Sequence, residues 1–397
     1  MMKWSVRIFS GIVLLSVLSL AYFVFWRSHT LTVQTMLPDT SPVKEESVKP
    51  LTKKPVLFVA GWLPYWSKEA GTTSLDGKIH LFNEINPFAL SVATDGSLVD
   101  KTRIESPPWP KLREQADGVQ VRIMPTLLWA DALAMHHVFM DSSLLHRHIE
   151  AIITLLEQNN FPGVDIDYEG KDIADRDNFS LFLRTLHERL IGAGKSVSCT
   201  VEARADDTVP FGWRGTRAMS YANDFAILKD YCDTVRIMAY DQVFQTHGEH
   251  QSFEDASETP SAPHSDIHWV ESVMQYALKY ITPEKLIMGV PTYGWEFSLT
   301  KTPTGYQYTR VRSISYEDAL KEAQTAGVNV QRSAGGEPTF IYKATDGEHI
   351  VTFSDDESIR QKITLAQKLH LKGVSFFKLD GLSDPKLFST LEEMKAQ

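Results

Sequence analysis

The chain has 397 residues, 43% of them hydrophobic and 23% charged, with a formal net charge of −10. That length suits one large barrel-type domain or two ordinary ones, and an acidic balance without a basic face excludes a nucleic-acid binder. Two cysteines, Cys199 and Cys232, allow at most one disulfide and no zinc-type cluster. Free core thiols are the expected state.

Lys3 and Arg7 precede nineteen uncharged residues, 8–26, closed by Arg27. This is long enough to cross a bilayer as a helix. Ser19-Leu20-Ala21 offers the alternative of a cleaved and secreted form, but "YFVFW" carries the apolar run past that site. The expectation is an uncleaved signal anchor over residues 1–30. The preceding positive charges put the N-terminus inside and the remainder exported, as a single-pass membrane protein. Residues 31–54, rich in Pro, Ser, Thr and charge, read as a flexible linker.

From residue 55 to the C-terminus, short apolar runs alternate with amphipathic stretches. The runs are "VLFVAGW" (56–62), "NPFALSV" (86–92), "VRIMPTLLW" (121–129), "GVDIDYE" (163–169), "SVSCTVEA" (196–203), "TVRIMAYD" (234–241), "KLIMGVPTYG" (285–294) and "GVSFFKL" (373–379). Helical spacing appears between them, as in Phe179, Phe182, Leu183, Leu186 and Leu190, and again in Val270, Val273, Met274 and Ala277. Eight continuous runs separated by helices predict a parallel sheet buried on both sides, closed as a (β/α)₈ TIM barrel. An open doubly wound sheet is the rival, but no glycine-rich phosphate loop follows the first strand. The long interval before the eighth strand predicts a small α+β insertion at 296–356, containing a hairpin that turns at Asp346-Gly347. The polar loop 242–268 holds His247, His250, His264 and His268 without tight ligand spacing, so solvated side chains are expected rather than a metal site.

The fourth run raises the chemical question. In "FPGVDIDYEG" the acids Asp165, Asp167 and Glu169 alternate with Val164, Ile166 and Tyr168. A strand puts all three carboxylates on one face, their stems roughly 6–7 Å apart. Such crowding holds at least one proton near neutral pH, which a general acid needs. The other runs end in "GWLPYW", "MAYDQ" and "PTYGW". In a barrel these ends share one rim, where active sites form. Aromatic faces stacking on pyranose rings, with carboxylates and amides binding hydroxyls, describe a sugar cleft.

"GVDIDYE", "VRIMAYDQ", "EKLIMGVPTYG" and "GVSFFKL", in this order and spacing, resemble glycoside hydrolase family 18, a family of chitinases and peptidoglycan-cleaving N-acetylglucosaminidases. The resemblance runs from about residue 56 to the C-terminus and looks closest to the bacterial spore-cortex-lytic branch. It implies Glu169 as general acid, Asp167 as the residue orienting the substrate acetamide and sharing a proton with Asp165 or Glu169, and Tyr240 as donor to the acetamide carbonyl. Asp241 would contact sugar hydroxyls. Asp165, Met238, Gln242, Tyr293, Trp62, Tyr65, Trp66 and Phe377 would complete the substrate-binding set. Two positions depart from the family pattern: Pro162 stands where an Asp usually opens the acidic motif, and Phe377 where a Trp usually floors the cleavage subsite. Acids confined to one strand face leave none opposite the leaving group, which points to the substrate's own 2-acetamide as nucleophile. The expected function is hydrolysis of β-linked N-acetylglucosamine polymers, peptidoglycan or chitin-type, by a monomer needing no metal or cofactor. A non-catalytic lectin on the same barrel is the alternative.

Overall fold

Eight runs buried along nearly their whole length make up the inner sheet. The computed structural model describes residues 56–206, 222–247 and 252–395. The expected anchor and linker, and His250 of the polar loop, lie outside the described residues. Among the described residues no helix is long and apolar enough to cross a membrane.

The inner strands are β1 (Phe58–Pro64), β2 (Glu84–Val92), β3 (Thr126–Trp129), β4 (Gly163–Tyr168), β5 (Ser196–Glu202), β6 (Thr234–Met238), β7 (Leu286–Pro291) and β8 (Gly373–Phe377). Each pairs in parallel with its neighbours, and β1 closes the ring by pairing β2 on one side and β8 on the other. The fold is a (β/α)₈ barrel. Trp62 sits level with both Asn86 and Phe377, so three rims meet in register. The run at 121–129 is not one strand. It divides into Arg122–Ile123 and Thr126–Trp129, because Pro125 has no N–H to give, although its carbonyl still accepts from Asp165 N at 2.9 Å.

Helices pack outside the ring as their spacing dictates. Arg176–Ile191 buries Phe179, Phe182, Leu183, Leu186 and Leu190, and Ile267–Leu278, capped by Asp266, buries Val270, Val273, Met274 and Ala277. The strand faces turned to these helices supply the apolar core, including Val164, Ile166 and Tyr168. The inward faces are polar. Arg236, almost fully buried, donates to Ser198 Oγ (2.8 Å) and Asn86 Oδ1 (2.8 Å) and pairs with Glu84. A buried guanidinium is tolerable only with such a complete set of acceptors.

A second sheet stands beyond β7. Its order is Gln331–Arg332, Pro338–Ala344, Gly347–Thr352, Tyr293–Thr302, Gly305–Ser315 and Ser252–Asp255, with helix Tyr316–Ala326 packed on it. The last of those strands comes from the loop after β6, so the insertion is built from two stretches of chain. Its hairpin pairs Ala344 with Gly347, placing the turn at Thr345-Asp346, one residue before the expected position.

The cysteines are not free thiols. Cys199 on β5 and Cys232 just before β6 form a disulfide, Cα atoms 5.9 Å apart. Their separation of 33 residues carried no hint of this. The parallel pairing of β5 with β6 brings them together.

Candidate active site

The C-terminal rim of the barrel encloses a cavity of about 240 Å³, lined by Trp62, Trp66, Phe88, Asp167, Glu169 and Tyr240 among others. Strand alternation sends Asp165 and Asp167 inward from β4, and Glu169 follows at the strand's end, its N–H bonded to Trp129 O at 2.8 Å.

The three acids occupy different surroundings. Asp165 is fully buried and accepts from Trp62 Nε1 (3.0 Å), Thr126 Oγ1 (2.9 Å) and Thr200 Oγ1 (2.9 Å), with Arg236 Nε 3.6 Å away. Every hydrogen-bonding neighbour is a donor, which suits an acceptor-only carboxylate. Asp167 is buried too, but its Oδ1 has no hydrogen-bond partner among the described residues. Burial raises its pKa well above the carboxylate norm, and the charges of Glu169, Asp165 and Glu202 raise it further against the opposing pull of Lys171. Glu169 is half-buried at the cavity wall. The turn behind it is clamped by Glu202, whose Oε1 accepts from Gly170 N at 2.8 Å while Asn223 Nδ2 donates to Oε2 at 2.7 Å.

Tyr240 and Asp241 follow β6. The Tyr240 ring lies parallel to Phe377, centroids 5.6 Å apart. Burial, then the neighbouring charges of Asp167, Asp241 and Glu169, push its phenol pKa up, so the hydroxyl stays a hydrogen-bond donor. Gly289 on β7 makes room for it, since a Cβ there would stand 2.9 Å from Tyr240 Cε1. Asp241 adopts a left-handed φ of 56° that turns its side chain to the rim. Its Oδ1 accepts from Tyr293 Oη (2.8 Å) and Trp295 Nε1 (2.7 Å), with His264 Nδ1 at 3.3 Å. Burial alone would raise its pKa, but these donors outweigh burial and hold it below the usual value.

Of the expected binding residues, Trp62, Trp66, Met238, Asp241 and Phe377 line the cavity. Tyr293 stands behind Asp241 as its donor. Tyr65 is exposed and meets the edge of Trp66 at 5.0 Å, outside the lining. Gln242 turns away: its Oε1 accepts from Asp266 N at 3.0 Å, tying loop to loop. His268 is exposed as expected, but His264 is not a solvated loop residue. Fully buried Glu337 accepts from the backbone N–H groups of His264 (3.0 Å) and Ser265 (2.8 Å), which draws the histidine under the rim against Asp241. Nothing local in the sequence announces that contact. Phe88, Thr200 and Phe244 were also missed, whereas Trp295, the last residue of the "PTYGW" strand end, shares a strand face with Tyr293 and reaches Asp241 from it. Among the described residues no group of three or more His, Cys, Asp or Glu could hold a metal ion.

A closed parallel barrel with an inward acid row and an aromatic-lined rim defines a barrel glycosidase. The chain belongs to glycosyl hydrolases family 18, whose sequence profile matches residues 134–381. It is 25% identical over 250 residues to the uncharacterized glycosylase YvbX of Bacillus subtilis (strain 168), covering 62% of this chain and 65% of that one. To the cortical fragment-lytic enzyme of the same organism it is 24% identical over 317 residues, covering 78% and 67%. The chain thus spans about two thirds of each relative's length. Among solved structures, the Bacillus cereus spore cortex-lytic enzyme SleL superposes with a TM-score of 0.69 at 22% identity, covering 86% of this chain and 75% of that one. A Chromobacterium violaceum chitinase gives 0.68 at 21%, covering 86% and 99%. At those identities the likeness concerns the fold.

Proposed function

We propose that this chain is a retaining glycosidase that cleaves β-linked N-acetylglucosamine polymers, with peptidoglycan as the polymer. Family membership supports the reaction class, and the observation that carries the mechanism is the acid row of β4. Asp167 is buried without a hydrogen-bond partner for Oδ1 among the described residues, beside Asp165, which is saturated with donors.

In this reading Glu169 protonates the leaving glycosidic oxygen as the bond to the anomeric carbon breaks. The carbonyl oxygen of the substrate's 2-acetamide forms the new bond to that carbon. Asp167, sharing its proton within the acid row, orients the acetamide N–H, and the neutral Tyr240 hydroxyl donates to the carbonyl side as charge develops. Glu169 then takes a proton from water, which opens the cyclic intermediate and restores the anomeric configuration. Asp241, held by Tyr293 and Trp295, binds sugar hydroxyls. Phe377 and Tyr240 form the apolar floor, a smaller surface than a Trp would give.

Peptidoglycan is favoured over chitin because a relative carries the name cortical fragment-lytic enzyme and because an exported, membrane-tethered domain would work beside the wall. The apolar run 8–26 supports the tether, and the buried Cys199–Cys232 disulfide fits an oxidising compartment. The test is to incubate the protein with purified peptidoglycan and with chitin oligosaccharides, then identify new reducing ends by mass spectrometry and the first-formed anomer by NMR. Retained β-anomer after an acetamido sugar is expected. Inverted product, or efficient cleavage after a deacetylated sugar, refutes the mechanism; cleavage of chitin alone refutes the choice of polymer. Retention in the membrane fraction after carbonate washing tests the anchor, and an intact protein starting near Tyr22 in the medium would overturn it.

A further inference from the structure

The strand Gly305–Ser315 carries two arginines two residues apart, Arg310 and Arg312, which regular alternation would put on one face. A bulge separates them. Arg312 pairs with Glu296 and Arg310 with Phe297, leaving Val311 as the extra residue. Such bulges re-aim side chains next to functional clefts. Arg312 is thereby sent to Glu296 Oε2 (2.6 Å) and Glu322 Oε2 (3.0 Å) and is fully committed. Arg310 goes to the opposite face, its guanidinium 5.7 Å from the Phe244 ring centroid and 5.6 Å from that of Trp295.

Those two rings belong to the cleft. Phe244 lines the cavity, and Trp295 donates to Asp241. Arg310 is solvent-exposed and has no carboxylate partner among the described residues. Among the described residues the other cations near the site are engaged: Arg236 with Glu84 and Asp165, Lys171 with Glu202, and Lys378 with Asp380 at 2.7 Å. A guanidinium laid over aromatic faces keeps its N–H edge outward, pre-organised for a planar carboxylate. The cleft itself is lined by Asp167, Glu169 and Asp241, acidic side chains that offer nothing to attract an anionic glycan.

We propose that Arg310 is a specificity-determining residue that takes a carboxylate carried by the substrate, and so selects a carboxylate-bearing N-acetylhexosamine polymer over neutral chitin-type chains. This rests on the glycosidase reading above. The carboxylate can come from two sources: the lactyl ether of a peptide-free muramoyl residue, or the peptide attached to the strand.

Three substrates separate the possibilities: peptide-bearing glycan strands, strands stripped of peptide by an amidase, and neutral chitin oligosaccharides. Arg310→Gln should raise KM about tenfold on a carboxylate-bearing glycan, a partly exposed charge-assisted pair. Its kcat there, and both constants on chitin oligosaccharides, should stay unchanged. The arm that suffers identifies the source of the carboxylate. Arg310→Lys should recover part of the loss, and added salt should erase the wild-type advantage while leaving Arg310→Gln flat. Equal losses on all three substrates would assign Arg310 to supporting the Phe244–Trp295 wall and overturn the proposal, as would no change on either anionic glycan. Failure of the wild type on all three would instead refute the glycosidase reading.

Discussion

Asp167→Asn tests the acid row through stability as well as activity. Folding takes this carboxyl from water into a buried position beside Asp165, Glu169 and Glu202, and its pKa rises well above 3.8. Above pH 3.8 the unfolded chain releases a proton that the native state keeps. Stability therefore falls as pH rises, in a window opening near 3.8 and closing at the raised native pKa. The slope from this one group reaches at most about 1.36 kcal/mol per pH unit. For the unit 53–397, unfolding entropy near 60 °C is about 0.7 kcal/mol/K, so the effect is about 2 °C in Tm per pH unit. Asparagine cannot ionise and escapes this cost. Thermal melts of both proteins from pH 3.5 to 8 should show the variant gaining on the wild type as pH rises through the window, then holding a constant lead. Its turnover should fall at the same time, because the amide cannot take part in the proton sharing. Parallel melting curves across the whole range would refute the reasoning, since Asp167 would then have no elevated native pKa.

Glu169→Gln preserves size but cannot donate a carboxylic proton; turnover on oligosaccharides should drop by about 10²–10⁴-fold while binding persists by calorimetry, and equal binding without turnover in both proteins would favour a lectin. Replacing Cys199 and Cys232 together by Ser opens a crosslink spanning 33 residues. Loop-closure entropy puts its worth at about 3.7 kcal/mol, or about 5 °C in Tm, measured by calorimetry on the oxidised wild type and the double variant. His148 is held neutral by burial, its pKa lowered from 6.5 to about 4, between Gly96 O and the Tyr168 hydroxyl, each 2.6 Å away. Because the unfolded chain binds this proton first, stability present above pH 6.5 should be lost as pH falls toward 4, by about 3 kcal/mol in all; denaturant melts and the His148 NMR titration check it.

How much was legible in advance differs from residue to residue. Period and order in the chain settled what lies along a single strand or helix. Asp165, Asp167 and Glu169 share a direction because strand geometry alternates, and Phe182 and Leu186 face the core because a helix repeats every 3.6 residues. Those rules act over a few residues, so the barrel, the acid row and the rim aromatics could be read directly. What joins distant segments could not. Arg236 finds Glu84 across 152 positions, His264 reaches Asp241 because Glu337 of the insertion pulls its loop inward, and Cys199 meets Cys232 only once β5 and β6 pair. Arg310 and Arg312 look equivalent in sequence, yet a single bulged residue gives one to an internal ion pair and the other to the cleft wall. Charge partners, burial and the fate of each carboxyl proton depend on distances across the fold, and only the tertiary structure decides those.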